Sequence, residues 1–185
     1  MSNPLKLISR SKLPEVKTTI FQTMSTIANE AKAINLGQGF PDFACDNALI
    51  ASVNQAMCDG HNQYPPMTGT MPLRSAIAHK VCSLYGAKYD MNEEITITAG
   101  ATQALLTAIL ATVNAGDEVI VIEPAYDSYI PSIQLAGGVS ILVSMHYQRD
   151  RFTIDWQKLK DSISHKTRMI LINSPHNPTG ACLNE

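Results

Sequence analysis

The chain has 185 residues, 45% of them hydrophobic and only 16% charged, which is ample for a core and poorer in charge than the usual quarter of a globular domain. Its formal net charge of −2 and pI near 6.2 offer no footprint for nucleic acid or an anionic membrane, and no apolar stretch reaches the ~20 residues of a membrane helix. Cys45, Cys58, Cys82 and Cys182 lack metal-type spacing and read as reduced, mostly buried thiols of a cytoplasmic protein.

Residues 1–17 carry little pattern and are expected to lie across a neighbouring surface. Ile20, Met24, Ile27 and Ala31 recur at helical spacing and predict an amphipathic helix over 18–33. A glycine-rich loop with Gly37 and Gly39 follows, then a helix over 46–59 with Asp46 as its N-cap. Residues 61–70 read as loop, and 71–85 as a helix stopped by Gly86. The next elements are a strand at 95–98, a helix at 101–113, a turn at 114–117 and a fully buried strand at 118–122. Helix 128–135 closes at Gly137-Gly138, and strand 139–144, helix 155–162 capped by Asp155, and strand 167–173 complete the series. Strands alternating with helices predict an α/β fold, a mainly parallel sheet flanked by helices and joined by right-handed crossovers. The expected division gives residues 1–45 to an N-terminal arm and small-domain segment with a substrate loop, and 46–185 to the first part of a large α/β domain.

Strand 167–173 runs into Ser-Pro-His-Asn-Pro-Thr-Gly at 174–180, the polar loop expected at the carboxyl end of a parallel strand, where open α/β sheets bind ligands. Pro175 and Pro178 fix their own φ and turn their neighbours from helix, so Asn177 is an aimed amide. An Asx-type turn explains the same residues equally well. Thr98-Ala99-Gly100-Ala101-Thr102 leads a strand into a helix and can present N–H groups to an anion. Without a full Gly-x-Gly-x-x-Gly or a Walker lysine, a plain tight turn is the better reading of those residues alone. Tyr126, after Glu123-Pro124-Ala125, can lie flat on a planar ring or fill the sheet edge. Gly39 lets a ligand approach bare backbone or simply makes a turn. His61, His79, His146 and His165 have no nameable partner, and 90–94 reads as a solvated turn.

Taken together in their order, Asn35-Leu36-Gly37-Gln38-Gly39-Phe40-Pro41-Asp42, Gln63-Tyr64-Pro65-Pro66-Met67-Thr68-Gly69, Thr98-Ala99-Gly100-Ala101-Thr102-Gln103-Ala104 and the loop at 174–180 resemble the fold-type-I pyridoxal-phosphate aminotransferases. The resemblance runs from about residue 13 to 180. Lys12-Leu13-Pro14, Thr19-Ile20-Phe21 and Glu123-Pro124-Ala125-Tyr126-Asp127-Ser128-Tyr129 look like the bacterial methionine aminotransferases and the kynurenine aminotransferases.

This resemblance implies that the α/β domain holds pyridoxal 5'-phosphate. Gly100, Ala101 and Thr102 would take the phosphate, Tyr126 would stack on the ring, and Asn177 would bond the ring oxygen and border the substrate. Gly39 would bind the substrate α-carboxylate and Phe40 would border its side-chain pocket. Tyr64 would reach the other subunit's phosphate across a homodimer with shared active sites. The implied reaction is ping-pong transamination between amino-acid and 2-keto-acid substrates, with a methionine or aromatic, kynurenine-like donor. His176 is expected to serve loop structure rather than act as a base. The family's catalytic lysine has no counterpart here and is expected beyond Glu185, so the chain is expected to be an inactive N-terminal half. A carbon–sulfur β-lyase on the same fold, or a non-catalytic truncated product, fits the same residues.

Overall fold

Glu-Val-Ile-Val-Ile-Glu at 118–123 is a run of β-formers without a turn residue, and it forms the central strand of a parallel sheet. The computed structural model describes residues 11–39 and 41–183. In chain order the elements are α1 (Ile20–Glu30), α2 (Asn47–Cys58), α3 (Met71–Tyr85), α4 (Gly100–Thr112), β1 (Glu118–Glu123), α5 (Tyr129–Leu135), β2 (Val139–Ser144), β3 (His146–Gln148), β4 (Arg151–Thr153), α6 (Trp156–Asp161) and β5 (Thr167–Leu171). Two compact units emerge: Ile20–Ala99, and Met1–Thr19 with Gly100–Glu185.

In the second of these units the sheet order is β2-β1-β5, all parallel. Strand side chains alternate between faces, and β1 uses both for burial. Val119 and Val121 pack with Ile109 of α4, Val113, and Tyr129 and Ile133 of α5. Ile120 and Ile122 pack on the other side with Val143 of β2, Ile154 and Leu159 of α6. Each buried Val or Ile contributes about 1.5–3 kcal/mol, so β1 is anchored on both faces and its ends are platforms for loops.

Local chemistry sets the helix ends. The Asp46 carboxylate accepts from the Ala48 N–H at 2.8 Å, and the Asp155 carboxylate accepts from the Lys158 N–H at 2.8 Å, so both predicted caps form. Gly86 stops α3 in a left-handed conformation, φ 69°, with its N–H on Cys82 O at 2.9 Å. In the Ile20–Ala99 unit, Arg74 is the buried residue of α3. Its Nη1 donates to the carbonyls of Met91 (2.9 Å) and Asn92 (3.3 Å), tying the helix to the 90–94 turn.

Several expectations are corrected. Residues 95–98 form no strand; the Ile97 N–H donates to Thr68 O at 3.0 Å, and β-propensity without a partner strand makes no ladder. The hairpin β3–β4 was not anticipated. It pairs antiparallel about Arg149 and Asp150, both at positive φ (50° and 59°), where glycine or asparagine is the usual signal. The four cysteines are free thiols, and three (45, 58 and 182) are exposed with Cys82 partly buried: Cys58 ends α2, which buries no residue, and Cys45 and Cys182 lie in loops.

Candidate functional site

The carboxyl ends of β1 and β5 are adjacent, with Val121 opposite Leu171. The loop holding Tyr126 and the loop holding Asn177 therefore leave the same edge of the sheet. Helix α4 returns to the start of β1 through a short turn, so its N-terminus points toward that edge too. A hydrogen bond marks the meeting: Thr102 Oγ1 and the Tyr126 hydroxyl lie 3.1 Å apart.

Gly100 opens α4 at φ +82°, and a Cβ added there would meet nothing within 4 Å. The positive φ is the reason for glycine, and the open space is what a bound anion requires at a helix N-terminus. Ala101 and Thr102 follow on exposed surface. Tyr126 is half-buried and packs edge to face with Tyr129, ring centroids 5.7 Å apart. Burial, and secondarily Tyr126, raises the Tyr129 phenol above its ordinary pKa, so it stays neutral.

The 174–180 loop is held from within. The His176 N–H donates to Ala181 O, and the Gly180 N–H donates to His176 O, both at 2.7 Å. The Asn177 N–H donates to Asn173 Oδ1 at 2.6 Å, while the Asn177 carboxamide is exposed and makes no hydrogen bond to a described residue. The Asx contact is thus made by Asn173, which leaves the Asn177 amide for a ligand. His176 is 5% exposed, and its Nδ1 lies 2.9 Å from Thr179 Oγ1. Burial pushes its pKa below the ordinary 6.5. This agrees with a role in loop structure, and the Thr179 contact was not anticipated; its only signal was a hydroxyl three residues after a buried ring.

The other expected residues belong to the Ile20–Ala99 unit. Gly39 has no heavy atom within 4 Å of an added Cβ, and Tyr64 is fully exposed. Phe40 lies outside the described residues. His146, read as partnerless, pairs with Asp155 at 2.9 Å. Among the described residues no group of three or more His, Cys, Asp or Glu is placed to hold a metal ion, and no helix is long and apolar enough to cross a membrane.

The sheet edge thus offers helix N-terminal N–H groups, two linked hydroxyls, a tyrosine ring and an unengaged carboxamide. That set suits a planar ring carrying an anionic group. Residues 31–185 match the family of class I and II aminotransferases, and the chain belongs to that family. It is 49% identical over 178 residues to methionine aminotransferase of Escherichia coli (strain K12), covering 96% of this chain and 45% of that protein. It is 42% identical to a probable N-succinyldiaminopimelate aminotransferase of Mycobacterium tuberculosis, covering 94% and 44%. A crystal structure from Escherichia coli, described with a methionine aminotransferase function, superposes at TM-score 0.91 with 46% identity, covering 97% of this chain and 46% of that one. The chain therefore spans about half the length of the relatives it matches. The family works with pyridoxal 5'-phosphate.

Proposed function

We infer that the protein to which this chain belongs is a pyridoxal-phosphate-dependent transaminase, and that this chain supplies part of the cofactor cradle. The observation that carries the reading is the 3.1 Å contact between Thr102 and Tyr126, which joins an anion-ready helix terminus to an aromatic ring. Gly100, Ala101 and Thr102 hold the phosphate, where the helix dipole adds about 0.3–1 kcal/mol. Tyr126 stacks on the ring, a contact worth ~0.5–1.5 kcal/mol beyond burial, and Asn177 bonds the ring oxygen. When bound there the cofactor supplies the electron sink for moving an amino group.

Gly39 takes the substrate carboxylate and Phe40 borders its side chain, and Asn177 is also read as a substrate contact. Tyr64 serves the other subunit of a homodimer, a role its full exposure supports. The domain division at 45/46 and a cytoplasmic location remain part of this reading. Amino acids with apolar, sulfur-bearing or aromatic side chains are the proposed donors, supported by the 49% identity to a methionine aminotransferase, and 2-keto acids are the acceptors. No lysine of this chain is assigned to the covalent step.

The test is a pyridoxal 5'-phosphate titration of the chain, followed by cofactor absorbance and by the fluorescence of its single tryptophan, Trp156. Saturable binding, weakened several-fold by Tyr126→Ala and by Asn177→Ala, is the expected result. No binding, or variants that bind as the unmutated chain does, would overturn it. In the longer protein, a 2-keto acid formed with amino transfer separates transamination from β-elimination, which releases ammonia and pyruvate.

A further inference from the structure

The loop between β5 and Leu183 contains one buried ring, and it sits immediately before the residue whose carboxamide is unengaged. His176 carries three contacts: its N–H on Ala181 O, its C=O receiving the Gly180 N–H, and its Nδ1 against Thr179 Oγ1. The same Thr179 oxygen accepts the Ala181 N–H at 3.2 Å. Asn177 is pinned on its other side by Asn173. We propose that His176 and Thr179 form a lock whose purpose is to aim the Asn177 carboxamide, which makes both of them positioning residues.

The lock also specifies a tautomer. A threonine hydroxyl has one proton to give and two lone pairs. With the Ala181 N–H on one lone pair, an Nδ1–H on the other would leave the hydroxyl proton with no acceptor among the described residues. With Thr179 O–H donating to His176 Nδ1, the hydroxyl proton has its acceptor and the ring proton sits on Nε2, which is the tautomer the lock takes. Burial disfavours the charged ring and keeps it neutral, whichever nitrogen carries the proton. A ring held neutral next to Asn177 adds no charge to the edge where the cofactor would bind. An amide fixed in advance also loses less freedom on binding than a mobile one, and that difference appears as affinity.

The consequence for affinity rests on the function proposed above, so the experiment has one arm that depends on it and one that does not. In the first, the 185-residue chain is titrated with pyridoxal 5'-phosphate as Thr179→Val, Thr179→Ser, Asn177→Ala and the Thr179→Val/Asn177→Ala double variant. Thr179→Val is expected to weaken binding about fivefold, roughly 1 kcal/mol, and Thr179→Ser to restore it. In the Asn177→Ala background Thr179→Val should change nothing, because the lock then has no amide to aim. In the second arm, nitrogen NMR of the cofactor-free chain reads the His176 ring directly. An acceptor-type Nδ1 and a protonated Nε2 are expected in the unmutated chain and in Thr179→Ser. Unchanged binding in Thr179→Val, an equal loss with and without Asn177, or a ring carrying its proton on Nδ1 would each overturn the proposal. If the unmutated chain binds no cofactor, the proposed function fails, and the ring-nitrogen result alone decides the lock.

Discussion

Replacing Ile133 with alanine tests whether the sheet edge stands on a rigid core. Ile133 is fully buried in α5 among Ile109, Val113, Val119, Val121 and Tyr129. Its far wall is backbone: Gly138 donates its N–H to Ile133 O at 2.9 Å. A Cβ on Gly138 would lie 3.1 Å from Ile133 Cγ2 and 2.7 Å from Val113 Cγ1. Losing three carbons costs about 2.4 kcal/mol in transfer free energy at ~0.8 per methylene. Because neighbouring backbone cannot easily move in, a cavity cost adds to this, for a total of about 3–4 kcal/mol. For a chain of this size that is a fall of roughly 6–16 °C in Tm, read by circular dichroism melting at fixed concentration. Gly138→Ala alone should also destabilise, by its clash with Val113. In the Ile133→Ala background its cost should shrink, since one crowding atom is gone, and the two changes should couple by at least about 0.5 kcal/mol. A loss under about 1 kcal/mol for Ile133→Ala, or strict additivity, would refute the picture of a walled site.

Gly100→Ala is expected to cost about 1–2 kcal/mol through its left-handed φ alone, since nothing crowds the added methyl; urea midpoints measure it. The buried His176 resists protonation while the unfolded chain takes up the proton near 6.5. Stability should therefore decline as pH falls below that value and level off beneath the lowered folded pKa, and His176→Gln should flatten this slope in urea melts. Asp155 is held below its ordinary 3.8, first by the Lys158 N–H and then by His146. Its contribution is present above that value and disappears as pH falls through the folded pKa, so Asp155→Asn should flatten the acid limb of the same profile.

The readable parts of this fold are those whose signals are local. The β1 run, the stop at Gly86, and the carboxylates before α2 and α6 each act within a few residues, and each forms as its side-chain chemistry requires. Residues 95–98 fail for the opposite reason: a strand is a pairing, and valine-like propensity in Ile95-Thr96-Ile97-Thr98 says nothing about where a partner lies. The hairpin at Arg149-Asp150 hides because its turn relies on side-chain contacts across the hairpin instead of glycine. The Tyr147–Phe152 ring contact at 4.8 Å and the Tyr147 hydroxyl on Asp150 at 3.1 Å supply that support. At the sheet edge the same division holds. That Gly100, Tyr126 and Asn177 sit at element ends could be read from turn chemistry, whereas the Thr102–Tyr126 contact spans 24 residues of chain and the His176–Thr179 contact requires knowing that the ring is buried.

That division has a functional side. β1 is buried on both faces, so its length and direction are set by packing, while Ala101, Thr102 and Asn177 are exposed at its carboxyl edge and Tyr126 is only half-buried. Residues that contribute little to the core can change with little effect on folding, and residues of the core can weaken the fold without touching the ligand. Asn177→Ala should therefore lower cofactor affinity while moving Tm far less than Ile133→Ala does, whereas Tyr126→Ala, whose ring also packs on the core, should lower affinity and cost some stability as well. Ile133→Ala should leave affinity nearly unchanged at temperatures where the chain stays folded. If Asn177→Ala and Ile133→Ala instead each moved Tm and affinity together, the edge would not be a separable site, and the cradle would have to be sought within the packed layers.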